Sequence, residues 1–164
     1  MRPLTAHNKS QGFTLIEQLI IILIVGILAS MVAPSFQGMY NRTRVNEAVT
    51  TVRGALQEAQ REAMRKSKSC SITINTTDRT IANTTANDAC LVTGPRTLPN
   101  QVTMAVTGGT NATILYDFRG NTNTGNIIRI SPSQGNQATK CVELSIPLGI
   151  VRSGTYNATN TTCQ

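Results

Sequence analysis

A single acidic residue inside a long apolar stretch is the feature of this sequence that most clearly suggests chemistry. From Phe13 to Ala33, Glu17 is the only ionisable side chain. A helix over these residues rises roughly 31 Å at about 1.5 Å per residue, which is long enough to cross the hydrocarbon core of a bilayer. Because a charged side chain in a spanning segment costs about 3 kcal/mol, the sequence predicts a partner for this carboxylate.

A cut in the chain just before the apolar stretch would supply that partner. Cleavage between Gly12 and Phe13 would create an α-ammonium group four residues before Glu17, which is one helical turn away. In a medium of low dielectric constant, these opposite charges attract each other strongly. The carboxylate could then pair with its own terminus or with that of a neighbouring copy.

The residues Gly12-Phe13-Thr14-Leu15-Ile16-Glu17 resemble the cleavage and methylation motif of type IV pilins and of type II secretion pseudopilins. The resemblance implies that a membrane peptidase cuts after Gly12, that Phe13 becomes an N-methylated terminus, and that Glu17 guides subunits into a helical filament. Gly26 and Pro34 also fall where the family tends to place a helix-loosening glycine and a kinking proline.

The same resemblance implies an α+β, pilin-like fold, in which a long kinked N-terminal helix, transmembrane in its first half, packs on an antiparallel β-sheet domain. The implied partners are other major and minor pilins, the prepilin peptidase, the inner-membrane assembly platform and the lipid bilayer. The leader would stay cytoplasmic, and the C-terminal domain would face the periplasm before the subunit enters an extracellular pilus. The implied segments are a cleaved leader at 1–12, a transmembrane and fibre-core helix at 13–34, an amphipathic half-helix at 35–69 and a β domain at 70–164.

A secretory signal peptide or a plain membrane anchor is the alternative interpretation of the apolar stretch. A signal peptide has a shorter apolar region and a small-residue cleavage site, and this stretch is too long for one. An ordinary anchor accounts for the length but gives no reason for Glu17.

Apolar residues at helical spacing continue after the anchor. The stripe consists of Val45, Val49, Val52, Leu56, Ala59 and Ala63. Steps of three and four residues place these side chains on one face of a helix, which we expect to pack against a domain. The cationic run Arg65-Lys66-Ser67-Lys68 is typical of a helix C-terminus.

Beyond Cys70 the apolar period changes from helical to two, which predicts strands. The predicted strands cover 71–75, 102–106, 113–118, 126–130 and 141–146, with a last short strand from Gly149 to Arg152. Gly-, Pro-, Asn- and Asp-containing turns separate them. Residues 75–100 alternate poorly, and we expect a long loop there.

Four cysteines lie beyond the apolar stretch and suit an oxidising compartment. Of the three possible pairings, loop size and order favour Cys70 with Cys90 and Cys141 with Cys163. Each pair closes a loop of about twenty residues, worth roughly 3 kcal/mol. A zinc site is the alternative, but no Cys-x-x-Cys occurs and the only histidine, His7, lies in the leader. We therefore expect no metal.

The C-terminal half resembles the GspH/FimT/FimU branch of the pilin families. The resemblance rests on Asp117-Phe118-Arg119-Gly120, where a strand ends in a turn, and on Leu148-Gly149-Ile150-Val151-Arg152. It implies a minor pilin near the fibre tip that helps to start pilus assembly and supports twitching motility or DNA uptake. A minor pseudopilin of type II secretion is an alternative with the same N-terminal chemistry.

Double-stranded DNA is the alternative partner. Some members of the FimT branch bind DNA during natural transformation through a Gly-Arg-x-Arg motif, and here Ile150 replaces its first arginine. The chain has a formal net charge of +7, and cations that neutralise phosphates drive DNA binding. The candidate cations are Arg119, Arg129, Lys140 and Arg152. A solvated strand face is the other interpretation of these residues.

The sequence shows no arrangement typical of an enzyme. The chain after Gly12 has no histidine, its acidic residues are scattered, and no phosphate-binding glycine loop follows a strand. We therefore expect a structural protein without a catalytic site or a cofactor.

Overall fold

The computed structural model describes residues 12–85, 89–134 and 138–164, except for the side chains of 31–35. The chain consists of two compact units, Met1–Gln37 and Gly38–Gln164. The first unit contains the start of the helix α1, and the second contains the rest of α1 and all the strands. This arrangement of one long N-terminal helix followed by antiparallel strands confirms the predicted fold class.

Helix α1 extends from Leu15 to Lys66 and includes both Gly26 and Pro34. Ser67 follows it in the left-handed region, with φ of 50°, and the Lys68 N–H donates to the carbonyl of Ala63 at 3.2 Å. The predicted cationic run therefore does end the helix. The kink expected at Pro34 stays a prediction.

Within the part of the chain that the structure describes, no helix has the combination of length and hydropathy needed to cross a membrane. The spanning role expected for residues 13–34 stays a prediction.

The strands form two antiparallel sheets. One sheet has the order β3-β2-β1-β5, and the other has the order β4-β6-β7-β8-β9. The first sheet consists of β1 (Cys70–Asn75), β2 (Thr80–Asn83), β3 (Arg96–Thr97) and β5 (Asn111–Tyr116). The second consists of β4 (Val102–Val106), β6 (Asn126–Pro132), β7 (Lys140–Ser145), β8 (Ile150–Asn157) and β9 (Thr162–Cys163).

The expectation of a long loop over residues 75–100 is wrong. This segment contains β2, which pairs with β1, and β3, which pairs with β2. Only Ile81 is buried in β2, so the strand has no alternating apolar pattern, and backbone pairing with β1 holds it instead. The last predicted strand, from Gly149 to Arg152, corresponds to β8 and is longer than expected, because β8 continues to Asn157.

The core lies between the helix stripe and the two sheets. Of the six predicted stripe residues, all but Val49 are buried, and Val49 is partly buried and packs against the same cluster. The sheets contribute alternate residues of their strands, such as Ile72 and Ile74 from β1 and Ile128 and Ile130 from β6. The predicted amphipathic half of α1 is therefore the element on which the β domain packs.

Two disulfide bonds join elements of the β domain. They connect Cys70 with Cys90 and Cys141 with Cys163, the same pairing that loop size favours. Cys70, Cys90 and Cys141 are buried. The first bond ties the loop before β3 to β1, and the second ties β9 to β7.

Candidate functional site

The first turn of α1 contains the predicted assembly glutamate. The Glu17 N–H donates to the Thr14 carbonyl at 3.1 Å and faces the Thr14 hydroxyl at 3.4 Å. Thr14 is thus the N-cap, and Glu17 is the acidic residue three positions later, the spacing of a capping box. Phe13 precedes this cap, so the bond predicted to be cleaved, between Gly12 and Phe13, lies just before the helix begins.

This position explains why a carboxylate is useful at residue 17. A helix N-terminus carries roughly half a positive charge, which an anion in the first turn stabilises. A new α-ammonium at Phe13 would add a further positive charge close to that end. Glu17 is exposed, so its carboxylate is available to its own terminus or to another chain.

The residues on both sides of Glu17 present apolar side chains in every direction. Phe13 is 69% exposed and Leu15 is 84% exposed. The exposed apolar residues of this unit also include Ile16, Leu19, Ile20, Ile21, Ile22, Leu23, Ile24, Val25, Ile27 and Leu28. A helix that is apolar all round is one that becomes buried in protein or lipid.

Two of the four candidate DNA-binding cations lie on one face of the second sheet. Arg129 pairs with Cys141 and Arg152 pairs with Glu143; because Cys141 and Glu143 are two residues apart on β7, all four share that face. The Arg129 guanidinium lies 5.2 Å from the centre of the Tyr156 ring. Glu143, directly opposite Arg152, reduces the positive charge of this face.

The other two candidates lie elsewhere. Lys140 alternates with Cys141, so it points to the opposite face of the sheet, where its ammonium group donates to the Thr155 hydroxyl at 2.9 Å. Arg119 lies in the turn after β5, and its guanidinium stacks 5.1 Å from the centre of the Phe118 ring. The structure therefore does not gather the four cations into one surface.

One cluster of hydrogen bonds that the sequence did not predict is centred on Gln60 of α1, and we call it the node. The Gln60 side-chain amide donates to the carbonyls of Gly120, at 2.9 Å, and Leu148, at 3.1 Å. The Thr122 N–H also donates to the Pro147 carbonyl at 2.8 Å. These bonds join the helix to the loops after β5 and after β7. A lone glutamine in a helix has no sequence pattern that predicts such a role.

The node brings together the two segments on which the resemblance to the GspH/FimT/FimU branch rests. Gly149 has a φ of 63°, and a Cβ placed on it would lie 2.8 Å from the Gly120 carbonyl oxygen and 3.0 Å from Cε1 of Tyr116. Gly120 has a φ of 82° and packs against Met64. Both glycines are therefore needed for conformation, and Gly149 also for close packing.

A hydrogen-bonded turn leads into this node. The Asp117 carboxylate accepts hydrogen bonds from the N–H groups of Arg119 and Asn121, each at 2.8 Å. Burial raises the pKa of this carboxyl, but these hydrogen bonds outweigh burial and hold the pKa below its ordinary value. Asp117 thus acts as a structural anion, and it leaves Phe118 and Arg119 at the tip of the turn.

Comparison with known proteins supports the interpretation of the N-terminus. Residues 7–33 match the family model of the prokaryotic N-terminal methylation motif. A fimbrial protein of Moraxella nonliquefaciens is 47% identical over 47 residues, which are 29% of this chain and 30% of that protein. Across the curated relatives that it matches, the chain spans between about a quarter and two fifths of their length. The sequence similarity is thus confined to part of the chain, 29–37% of it for these relatives.

Solved structures extend the likeness to the β domain. The minor pseudopilin EpsH from the type 2 secretion system of Vibrio cholerae has a TM-score of 0.55 at 18% identity, over 68% of this chain and 97% of that chain. The type IV minor pilin FimU of Pseudomonas aeruginosa has a TM-score of 0.54 at 12% identity, over 72% of this chain and 92% of that chain. The chain is therefore similar to fimbrial proteins in its N-terminal methylation motif, and similar in fold to a minor pseudopilin and a type IV minor pilin.

Proposed function

We propose that the protein is a minor pilin that enters a type IV fibre and helps to start its assembly. The match of residues 7–33 to the N-terminal methylation motif carries this proposal. In this role a prepilin peptidase removes the leader after Gly12, and Phe13 is methylated. The apolar helix is held in the inner membrane with the β domain in the periplasm, and it then packs among other pilins in the fibre core.

The place of Glu17 in the first helical turn supports its role in assembly. A subunit that leaves the bilayer must place this carboxylate beside a cation, because an unpaired charge among apolar helices is costly. The N-terminal ammonium of a neighbouring subunit has the required charge. Correct pairing would then fix the axial position of one subunit relative to the next.

Replacing Glu17 tests the proposal directly. We expect Glu17→Ala to enter the membrane as well as the wild type does, since the change removes an insertion cost of about 3 kcal/mol. The fraction of the chain in sheared fibres should fall at least tenfold, as measured by quantitative immunoblotting of the fibre and membrane fractions. Mass spectrometry of both fractions should find an N-terminal peptide that begins at a methylated Phe13.

Gln18→Ala is the matched control, because it truncates the neighbouring polar side chain without a change in charge. It should enter fibres at the wild-type level. Wild-type incorporation of Glu17→Ala would contradict the role given to the carboxylate, and absence of the wild-type chain from fibres would contradict the proposed function as a whole.

A secretion pseudopilus is the alternative to a type IV pilus as the fibre that contains this chain. EpsH, a secretion pseudopilin, and FimU, a pilus subunit, have nearly equal TM-scores to this chain, so likeness in fold favours neither machine. DNA capture has weaker support, because only Arg129 and Arg152 share a face and Glu143 lies opposite Arg152. We therefore propose a fibre subunit, with twitching motility or DNA uptake as the process that it supports.

A further inference from the structure

Three exposed apolar residues lie in the segments that meet at the Gln60 node, one on α1, one in the turn after β5 and one in the loop after β7. They are Met64, Phe118 and Leu148, which are 44%, 53% and 59% exposed. We call these three residues the Phe118 patch. Gln60 bonds the carbonyl of Leu148 and that of Gly120, next to the tip of the turn, and Gly120 packs against Met64. Clustered exposed apolar residues with a polar rim mark surfaces for protein interaction.

The patch is held rigidly before any partner arrives. Asp117 fixes the turn through the N–H groups of Arg119 and Asn121, and the Gly120 N–H donates to the Asp117 carbonyl at 3.0 Å. Gln60 fixes the neighbouring loop at Leu148. Pre-organised side chains lose little conformational entropy on binding, so their apolar area contributes more fully to affinity.

The rim of the patch is cationic. Arg119 stacks on the Phe118 ring, and Arg61 is an exposed neighbour of Gln60 on α1. The nearest acidic residues are already engaged. On the helix, Glu58 pairs with Arg96 and Glu62 with Arg65, each at 2.7 Å, and in the turn the Asp117 carboxylate accepts the N–H groups of Arg119 and Asn121. Aromatic, methionine and arginine side chains together are the composition found at the centre of protein interfaces.

We propose that the Phe118 patch docks a different subunit of the same fibre, through a surface with an apolar centre and an acidic rim. The inference rests on the proposed function, because it takes the partner to be a companion subunit. Charge complementarity selects the partner: acids facing Arg61 and Arg119 would speed encounter and fix the register of docking. Recognition of DNA phosphates requires cations but no apolar area, so the apolar centre of the patch favours a protein partner over DNA.

A second copy of this chain does not fit the patch. In a two-fold dimer the patch would face itself and bring Arg119 and Arg61 against the same cations. A head-to-tail contact is no better, because the described acidic residues of this unit are already engaged. Glu47, Glu58 and Glu62 are in ion pairs, Asp78 and Asp117 accept hydrogen bonds, and Glu143 lies opposite Arg152. The partner must therefore be another chain.

Photo-crosslinking in the living cell tests the proposal on the full-length chain. A photo-reactive phenylalanine analogue is placed at position 118, and the same analogue at position 92 serves as the control, because Val92 is an apolar residue of similar exposure. Illuminated fibres should yield one protein product from position 118, identified by mass spectrometry, and not from position 92. The crosslinked region of the partner should contain acidic residues.

Charge reversal then tests complementarity. We expect Arg61→Glu with Arg119→Glu to reduce the crosslink yield at least tenfold, and Arg119→Gln alone to reduce it less. Arg129→Glu with Lys140→Glu changes the net charge equally, at the end of β6 and β7 remote from the loop after β7, and should leave the yield unchanged. Exchanging the partner's acidic residues for lysine should restore the product in the doubly reversed chain.

Several results would overturn the inference. They are a product with a second copy of this chain, a product with DNA, no protein product from position 118, or equal losses in the reversed and control variants. Unfolding midpoints of all variants identify any loss that comes from misfolding. Failure of the proposed function looks different, because the wild-type chain would then be missing from the fibre fraction altogether.

Discussion

Gly149 shows at the scale of one residue how the β domain is fastened to the helix. Its left-handed φ of 63° suits glycine, and the space beside its Cα is taken by the Gly120 carbonyl, the Gln60 amide and the Tyr116 ring. Gly54 of α1 is the opposite case, because nothing lies within 4 Å of a Cβ placed on it. The two glycines therefore respond to the same substitution with opposite sign.

We expect Gly149→Ala to destabilise the fold by about 2–4 kcal/mol, through a strained φ and through overpacking of the node. Gly54→Ala should stabilise it by up to about 1 kcal/mol, since alanine is the better helix former. Urea unfolding of the full chain in detergent, followed by near-ultraviolet circular dichroism, measures both; the chain has no tryptophan and Tyr116 is fully buried. Equal shifts in the two variants would refute the packing argument.

At this scale, the sequence predicts residues that carry a motif or a covalent bond. Glu17 is singled out because a lone acid in an apolar stretch is unusual, and its role in assembly stays a prediction. The cysteine pairing that loop size favours is the pairing in the structure. Gln60 was missed, because its role depends on two loops that are 60 and 88 residues away in the chain. Gly149 belongs to a segment with a family resemblance, but only the structure shows what its missing side chain makes room for.

Helix α1 ends with an unusual residue in its cap. Ser67 has a φ of 50° at the position where a helix most often places glycine, and the Lys68 N–H closes the cap on the Ala63 carbonyl. An L-residue in this conformation costs roughly 1–2 kcal/mol. Part of this cost can be removed by a single substitution.

We expect Ser67→Gly to stabilise the fold by about 0.5–1 kcal/mol, because relief of the left-handed strain exceeds the greater backbone entropy of glycine. The urea midpoint of the full chain is the measurement. Ser69→Gly is the matched control just beyond the cap and should not stabilise. A urea midpoint for Ser67→Gly at or below that of Ser69→Gly would contradict the backbone strain inferred at Ser67.

The elements with a clear period could be predicted, and those without one could not. The helix stripe and five strands follow from apolar spacing. Buried residues alternate in four of these strands, and in β7 the disulfide-bonded Cys141 is buried beside Val142. Strand β2 has a single buried residue, and β3 and β9 have two residues each, which is too few for a period. Backbone pairing and the two disulfides place these short strands.

At the scale of the whole molecule, an ion pair and a hydrogen bond to the same carboxylate join the helix to the first sheet and to the loop before β3. Arg96 of β3 binds Glu58 of α1 at 2.7 Å, and the Thr93 N–H donates to the same carboxylate at 3.1 Å. Burial raises the pKa of Glu58, but the hydrogen bonds from Thr93 and the Arg96 guanidinium outweigh burial and lower the pKa below its ordinary value. The carboxyl pKa of Asp117 is lowered by its own hydrogen bonds.

These lowered pKa values predict how stability depends on pH. A carboxyl that stays ionised in the folded state while the unfolded chain takes up a proton makes stability fall as the pH falls. The contribution of Glu58 should be complete above about pH 5.5 and should be lost progressively below about pH 4.5. The urea midpoint of the full chain, measured between pH 7 and pH 3, should therefore be level at first and then decrease.

Glu58→Gln separates this carboxylate from the other acidic groups. The variant should be less stable than the wild type at pH 7, because Arg96 and Thr93 lose their anionic partner. Its midpoint should also fall less steeply below pH 4.5, since one linked proton has been removed, so that the two curves converge at low pH. Parallel curves over the whole range would mean that Glu58 contributes no linked proton, and the junction between α1 and β3 would then rest on apolar packing and not on charge.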